Sequence, residues 1–430
     1  MMRIPWLSAL SCCLFCVTEP LSAAEIYFDW SGHLRASGLL DYYGEENLLA
    51  LTAGNRLLIN ATLDGRLNYS LYWGERTSFN LGYEVVANGG QTRETITELA
   101  KQNPDFEQSS LYRSRIPSDE NQLFDLTKII SEGDDYILYQ RLDRLFFAYD
   151  SAIGNISIGR QALTWGNGLL FNPADLINPF APSDIIRDYK IGSDMVLYQN
   201  GFRIVSDLQA VIVPRTGDDS ELDSDQSTYG LKTRFSGGPG DLDLYLMKNY
   251  QDPVLGAGFS TYLGDGVLRS DVTWTYLEED TEPASFVSGI LNYDYSWGWY
   301  GHNWYGFIEF YYNGLGDSDP LEALHSKPLR ERIERGEIFV TGNYYVDAML
   351  HYEAHPLINL FASLIYNLED HSFLLQPRLN WELSQSAELL LGVNIPLGSE
   401  GSEFGEFRNP EDGTGVGQPT QAYLVATFFF

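Results

Sequence analysis

The sequence predicts an all-β fold, a transmembrane antiparallel β-barrel of about 18 strands (roughly 16 to 20 fit the pattern) with one long connection folded inward. Three observations predict it: a strand that runs to the carboxyl terminus, a secretory leader at the other end, and alternating segments whose connections are long on one side and short on the other. Residues 421–430 place Ala422, Leu424, Ala426, Phe428 and Phe430 on one face and Gln421, Tyr423, Val425, Thr427 and Phe429 on the other. That is the period of a strand, and it continues to the last residue.

At the amino terminus, Arg3 supplies positive charge, residues 4–17 an apolar stretch, and Leu21-Ser22-Ala23-Ala24 a small-residue cleavage site. Residues 1–24 therefore read as a signal peptide and 25–430 as one barrel domain. No later run approaches the 18 or so consecutive apolar residues that a spanning helix needs. Cys12, Cys13 and Cys16 all fall inside the leader and fit a lipid-attachment box poorly. The mature chain is thus left without disulfides, thiolate ligands or a thiol nucleophile.

The strands follow from alternation. Between residues 26 and 40, Ile26, Phe28, Trp30, Leu34 and Ala36 share one face, while Asp29, Ser31, His33 and Arg35 share the other. The pattern recurs at 56–64, 66–73, 78–86, 136–149, 155–160, 194–198, 202–214, 229–235 and 241–248. It continues at 259–263, 267–276, 286–297, 303–312, 338–350, 357–366, 373–383, 389–395 and the terminal strand. These are 19 candidates, and an odd number conflicts with a barrel whose two ends lie on the same side of the membrane. Counted back from the carboxyl terminus, the long connections 398–417, 313–336, 215–227, 164–193 and 87–135 fall on one side, with short links such as 236–240, 200–201 and 150–154 between them. Parity fails only before Val86, so residues 55–74 are read as one bent strand with a bulge at Asp64-Gly65, although Asp-Gly is also a hairpin signal.

Composition agrees. Apolar residues make 44% of the chain and mean hydropathy is −0.20, as expected where only the lipid-facing half of each strand must be apolar. The 28 Tyr, 23 Phe and 9 Trp suit interfacial aromatic girdles, although a soluble sugar-binding β protein could share the excess. A net charge of −32 argues against a nucleic-acid partner. A barrel of roughly 16 to 18 strands leaves an aqueous channel, so size favours a pore.

Residues 164–193 are apolar and aromatic where an exposed connection would be polar. Leu169, Leu170, Phe171, Leu176, Ile177, Phe180, Ile185 and Ile186 need a surface to bury against, and the barrel mouth supplies one. Pro173, Pro179 and Pro182 forbid a long helix and imply a fixed, turn-rich path. The run Gly159-Arg160-Gln161, then Trp165-Gly166, Asn172-Pro173, Asp175 and Asn178-Pro179, resembles a motif of an uncharacterised family of porin-like Gram-negative outer-membrane proteins. Its Gly-Arg-Gln element is also loosely similar to one in alginate-export barrels. The resemblance covers residues 158–194. It departs at Asn167, where that family more often carries an acid, and the rest of the barrel adds no alignable motif. It implies an outer-membrane channel and marks Arg160, Gln161, Trp165 and Asp175 as positions of interest without assigning roles. A final strand ending in Phe likewise resembles the signal read by the barrel-assembly machinery, which makes that machinery an expected partner through Phe430.

The charges of this stretch are Arg160, Arg187 and Lys190 beside Asp175, Asp184, Asp188 and Asp194. Either they set a transverse field across a constriction, or they pair with one another and pin the inward fold. The outer connections are acidic: Asp218, Asp219, Glu221, Asp223 and Asp225; Glu278, Glu279, Asp280 and Glu282; Glu400, Glu403, Glu406, Glu411 and Asp412. Such a rim concentrates cations, so cation preference is expected, with bridging of lipopolysaccharide by divalent ions as the alternative use. No Gly-x-Ser-x-Gly elbow or His-Glu-x-x-His helix occurs, and the six histidines are scattered. The reading is a channel for passive diffusion of small solutes in the outer membrane of a Gram-negative bacterium, without catalysis, cofactor or metal. Its partners are membrane lipid and lipopolysaccharide, with a homo-oligomer possible. A receptor, adhesin or assembly scaffold without an open pore is the alternative, and a surface hydrolase a more distant one.

Overall fold

The computed structural model describes residues 25–430 apart from 114–115, 121, 182–188, 203–204, 218–219, 279–280 and 409–412. The expected signal segment 1–24 lies outside the described residues, as do Asp184, Arg187 and Asp188.

Eighteen strands form the wall. They are β1 (Ile26–Tyr42), β2 (Leu57–Trp73), β3 (Thr77–Gly90), β4 (Tyr136–Ser151), β5 (Gly154–Gln161) and β6 (Ser193–Asn200); β7 (Asp207–Thr216), β8 (Leu222–Gly237), β9 (Gly240–Asn249), β10 (Asp252–Leu263), β11 (Gly266–Tyr276) and β12 (Ser285–Trp299); and β13 (His302–Asn313), β14 (Tyr344–His355), β15 (Ile358–Asn367), β16 (Phe373–Ser384), β17 (Ala387–Leu397) and β18 (Thr420–Phe429). Each pairs antiparallel with its sequence neighbours, and β18 pairs with both β17 and β1, so the sheet closes. Closure leaves no free edge. Gly32 and Phe430 exchange backbone hydrogen bonds of 2.9 and 3.1 Å where the last residue meets the first strand.

The two ends of the barrel differ. At one end the connections are short: 74–76, 152–153, 201–206, 238–239, 264–265, 300–301, 356–357 and 385–386. At the other, besides the short connections 217–221, 250–251 and 368–372, long ones carry helices, Leu48–Ala53, Gln91–Gln102, Pro320–His325 and Lys327–Glu334 among them, and a small hairpin of Glu406–Arg408 with Gly415–Gly417. Alternation sorts the faces: on β9, Leu242, Leu244 and Leu246 are exposed to the outside, whereas Asp243, Tyr245 and Met247 are buried within. Toward the short-turn end, aromatic side chains cluster on the outer wall. Trp297 stacks on Trp304, and Trp304 on Tyr352 with ring centroids 4.4 Å apart. Such rings suit a membrane interface.

Three expectations need correction. Residues 57–73 do form one strand, but without a bulge: Asp64 faces Arg35 and Val86, and Gly65 faces Leu34 and Val85, in unbroken register. Pairing on both sides overrides the local hairpin preference of Asp-Gly. The supposed long connection 215–227 is mostly strand, because β7 and β8 extend to residues 216 and 222. β14 begins at Tyr344, since Ile338 and Val340 are buried in the preceding connection rather than paired in the wall.

β5 and β6, of 8 residues each, are short because the chain leaves the wall after Gln161 and returns at Ser193. Above them the wall is completed by the strand Thr127–Glu132 on β4 and by a bridge from Gln122 to Arg215.

Candidate functional site

The described parts of the segment between β5 and β6, residues 162–181 and 189–192, enter the lumen because their apolar side chains find apolar partners there. Leu163, Trp165, Ala174 and Ile177 pack with Met195, Leu197, Val211, Val213, Tyr245 and Met247. Farther across, Phe171 stacks on Tyr311 at 4.4 Å within a second cluster that includes Tyr345, Ile365, Leu374 and Phe404. Gly230 on β8 makes room: a Cβ there would come within 2.7 Å of the Trp165 ring. Gly166, at φ 94°, makes the turn; a Cβ would lie 1.9 Å from Asn172 Oδ1, and Asn172 Nδ2 closes the loop onto Trp165 O at 2.8 Å.

Backbone groups of the segment are then satisfied by carboxylates of the opposite wall. Glu309 on β13 accepts from the N–H groups of Leu169 (2.9 Å), Leu170 (3.2 Å) and Phe171 (2.7 Å), and from Asn292 Nδ2 (3.0 Å). Three successive N–H groups converging on one carboxylate form an anion nest, and the bonds are charge-assisted. Asp271 on β11 accepts from the backbone N–H and side-chain Nδ2 of Asn167. Its neighbour Asp243 is held by both Nε and Nη2 of Arg234. On the return, Tyr189 lies over the Arg66 guanidinium (3.9 Å) and donates to Glu84, and Gly192 N donates to Asp143 Oδ1 at 3.0 Å.

Beside the segment lies a cavity of about 550 Å³. One side is the segment itself, through Thr164, residues 168–173, Asp175, residues 179–181, Tyr189 and Lys190. The others are Tyr311 on β13, Arg378 and Asn380 on β16, Leu390 on β17, and residues 337–339 of the connection above. Among the described residues its charged side chains are Asp175, Lys190, Glu337 and Arg378. Asp175 forms an ion pair with Lys190. Glu337 accepts from Asn249 Nδ2 at 2.9 Å and lies 3.8 Å from Arg332 Nε.

The described residues singled out in the sequence fall into separate places: Arg160 pairs with Asp194 and Asp175 with Lys190, without forming one cluster. Asp175 and Lys190 border the passage. Trp165 is buried against β7 and β8, its indole N–H on Gln209 Oε1 at 2.7 Å, and Gln161 is buried against Ser157. Arg160 and Asp194 sit opposite each other with the outward parity of Ile158 and Val196. Arg160 is 1% exposed beneath residues 119–126, donating to Asp194 Oδ1 (3.0 Å) and Oδ2 (2.9 Å), Asp119 Oδ2 (2.7 Å) and Phe124 O (2.6 Å). These two residues lock the wall above β5 and β6 and do not border the passage. The wall acids Glu309 and Asp271, and the lining residues Glu337 and Arg378, were not singled out in the sequence.

Burial pushes the Asp175 carboxyl from its ordinary 3.8 up to about 6, against the lowering influence of Lys190. A raised folded-state value favours folding below 3.8, and that contribution is lost as pH rises through about 6. As pH falls through about 6, Asp175 takes up a proton and Lys190 loses its counter-charge. Reversal potentials recorded from pH 8 to pH 5 should therefore move toward anion permeability, and Asp175→Asn should abolish that movement.

The chain matches no protein-family model and no curated protein sequence. Its fold is similar to solved barrels. OccAB1 of Acinetobacter baumannii is 10% identical, with 94% of this chain and 96% of that chain covered at a TM-score of 0.50. OccAB3 of the same organism is 9% identical, covered to 94% and 99% at 0.50. OccK5 (OpdH) of Pseudomonas aeruginosa is 10% identical, covered to 94% and 98% at 0.51. The likeness extends over nearly the whole of each chain and is a likeness of fold.

Proposed function

We propose that this chain is an outer-membrane channel through which small solutes diffuse passively, with the long connections at the cell surface and the short turns in the periplasm. The observation that carries the reading is the passage itself. An 18-stranded wall leaves a lumen, and the inward segment narrows it without filling it, with a cavity of about 550 Å³ beside the segment. Flow down a gradient through such a passage needs no cofactor and no catalytic group. The rim enriches cations at the mouth, through exposed acids such as Glu221, Asp225, Glu278 and Glu400. Cation preference at moderate salt is part of the reading.

Liposomes carrying the protein should swell at rates that fall steeply with the size of an uncharged solute, small sugars entering and oligosaccharides excluded. Swelling no faster than in protein-free liposomes would favour a receptor or scaffold without an open pore.

A further inference from the structure

We infer that Arg378 is the selectivity residue of the passage and that it favours solutes bearing an anionic group, in opposition to the rim; this rests on the proposed channel function. Of the four charged side chains that border the cavity among the described residues, Asp175 and Lys190 answer each other and Glu337 is answered by Arg332. Arg378 is different. Its guanidinium lies 4.5 Å from the centre of the Phe361 ring, and among the described residues it pairs with no carboxylate.

The strand register explains why. Arg378 faces Phe361 on β15 and Gly392 on β17, so neither cross-strand neighbour carries a counter-charge. This is unexpected in a chain with 59 acidic and 27 basic side chains, where nearly any lining arginine would find an acid nearby. A half-buried guanidinium that has lost part of its water, and has the Phe361 ring face and the neutral Tyr423 phenol near it but no carboxylate among the described residues, is best satisfied by an anionic group arriving in the passage. Apolar walls at Phe171, Phe180 and Leu390 leave its field little screened there.

Two opposed fields in series respond differently to salt. The rim acids are exposed and are screened once the Debye length falls from about 10 Å at 0.1 M to about 3 Å at 1 M, whereas a charge inside a narrow apolar passage is screened much less. The channel should therefore prefer cations at low salt and lose or reverse that preference at high salt.

The test is the reversal potential of the full chain in planar bilayers under potassium chloride gradients centred on 0.1 M and on 1 M. At the higher salt wild type and Arg378→Lys should move further toward anion permeability than Arg378→Gln, which should only approach the unselective limit, with an anion-to-cation permeability ratio lower by roughly threefold at 1 M. Benzenesulfonate should slow ion flow through wild type more than benzyl alcohol does, and that difference should vanish in Arg378→Gln. A conducting wild type whose selectivity and benzenesulfonate response are unchanged in Arg378→Gln would overturn the inference and leave the channel reading standing. A wild type that folds and does not conduct would overturn both.

Discussion

Replacing Glu309 by alanine is expected to free the inward segment from the far wall and to raise single-channel conductance roughly threefold, toward that of an unobstructed barrel of this strand number. One carboxylate answers the N–H groups of Leu169, Leu170 and Phe171, and no other acceptor among the described residues is bonded to them. Without it, the buried Phe171 donor and the half-buried Leu169 and Leu170 donors lose their acceptor, at up to about 1–3 kcal/mol each, and the segment recovers that energy by moving into water. Phe171 then loses its stacked position on Tyr311. Glu309→Gln keeps two acceptor lone pairs but turns an amide N–H₂ toward the same donors, so it should fall between wild type and alanine. Channel records should show larger and noisier steps in the order wild type, glutamine, alanine. Equal conductance in all three would mean that the segment is held by its apolar packing alone.

Arg160→Ala is expected to act on stability and to leave ion preference alone. The side chain bridges Asp194 and Asp119, whose carboxylates are both buried, and donates to the Phe124 carbonyl. Removing one member of a buried ion pair leaves uncompensated charge and costs about 3–5 kcal/mol. The cost should appear as a lower unfolding temperature in detergent and faster proteolysis within residues 116–132, the part of the wall that Arg160 fastens. Reversal potential under a salt gradient should match wild type. A shifted reversal potential with unchanged stability would instead place Arg160 in the path of ions.

The fold was legible because its determinants are local or periodic. Strand alternation, the aromatic carboxyl terminus and the asymmetry of connections are all visible along the chain. Parity correctly turned two candidate strands into the single strand β2. The inward segment was legible for the same reason, since Leu169, Leu170 and Phe171 have no place on a solvated surface. Its docking partners were less so. Glu309 lies 138 residues from Phe171 in sequence and looks like any inward-facing acid of a strand. One signal was present: Val211, Val213, Met247 and Tyr345 are apolar on the inner face of their strands, next to apolar residues on the outer face. A lumen wall apolar on both sides must be covered, and these positions mark where.

The misplacement of Arg160 and Asp194 has a plain physical cause. Proximity in sequence suggested one cluster of charges, but parity with Ile156 and Ile158, and with Val196, puts both residues on the outward face of β5 and β6. An arginine on that face must be covered by polar partners, and the covering segment comes from residues 119–126, too remote for sequence spacing to reveal.

Single-channel recording of the purified, refolded protein in a planar bilayer tests the central claim most directly. The account predicts discrete, stable open steps without any added cofactor or energy source, smaller than those of the Glu309→Ala variant. A heat-modifiable, correctly folded barrel that gives no steps across repeated insertions would contradict it, and would mean that the inward segment closes the lumen.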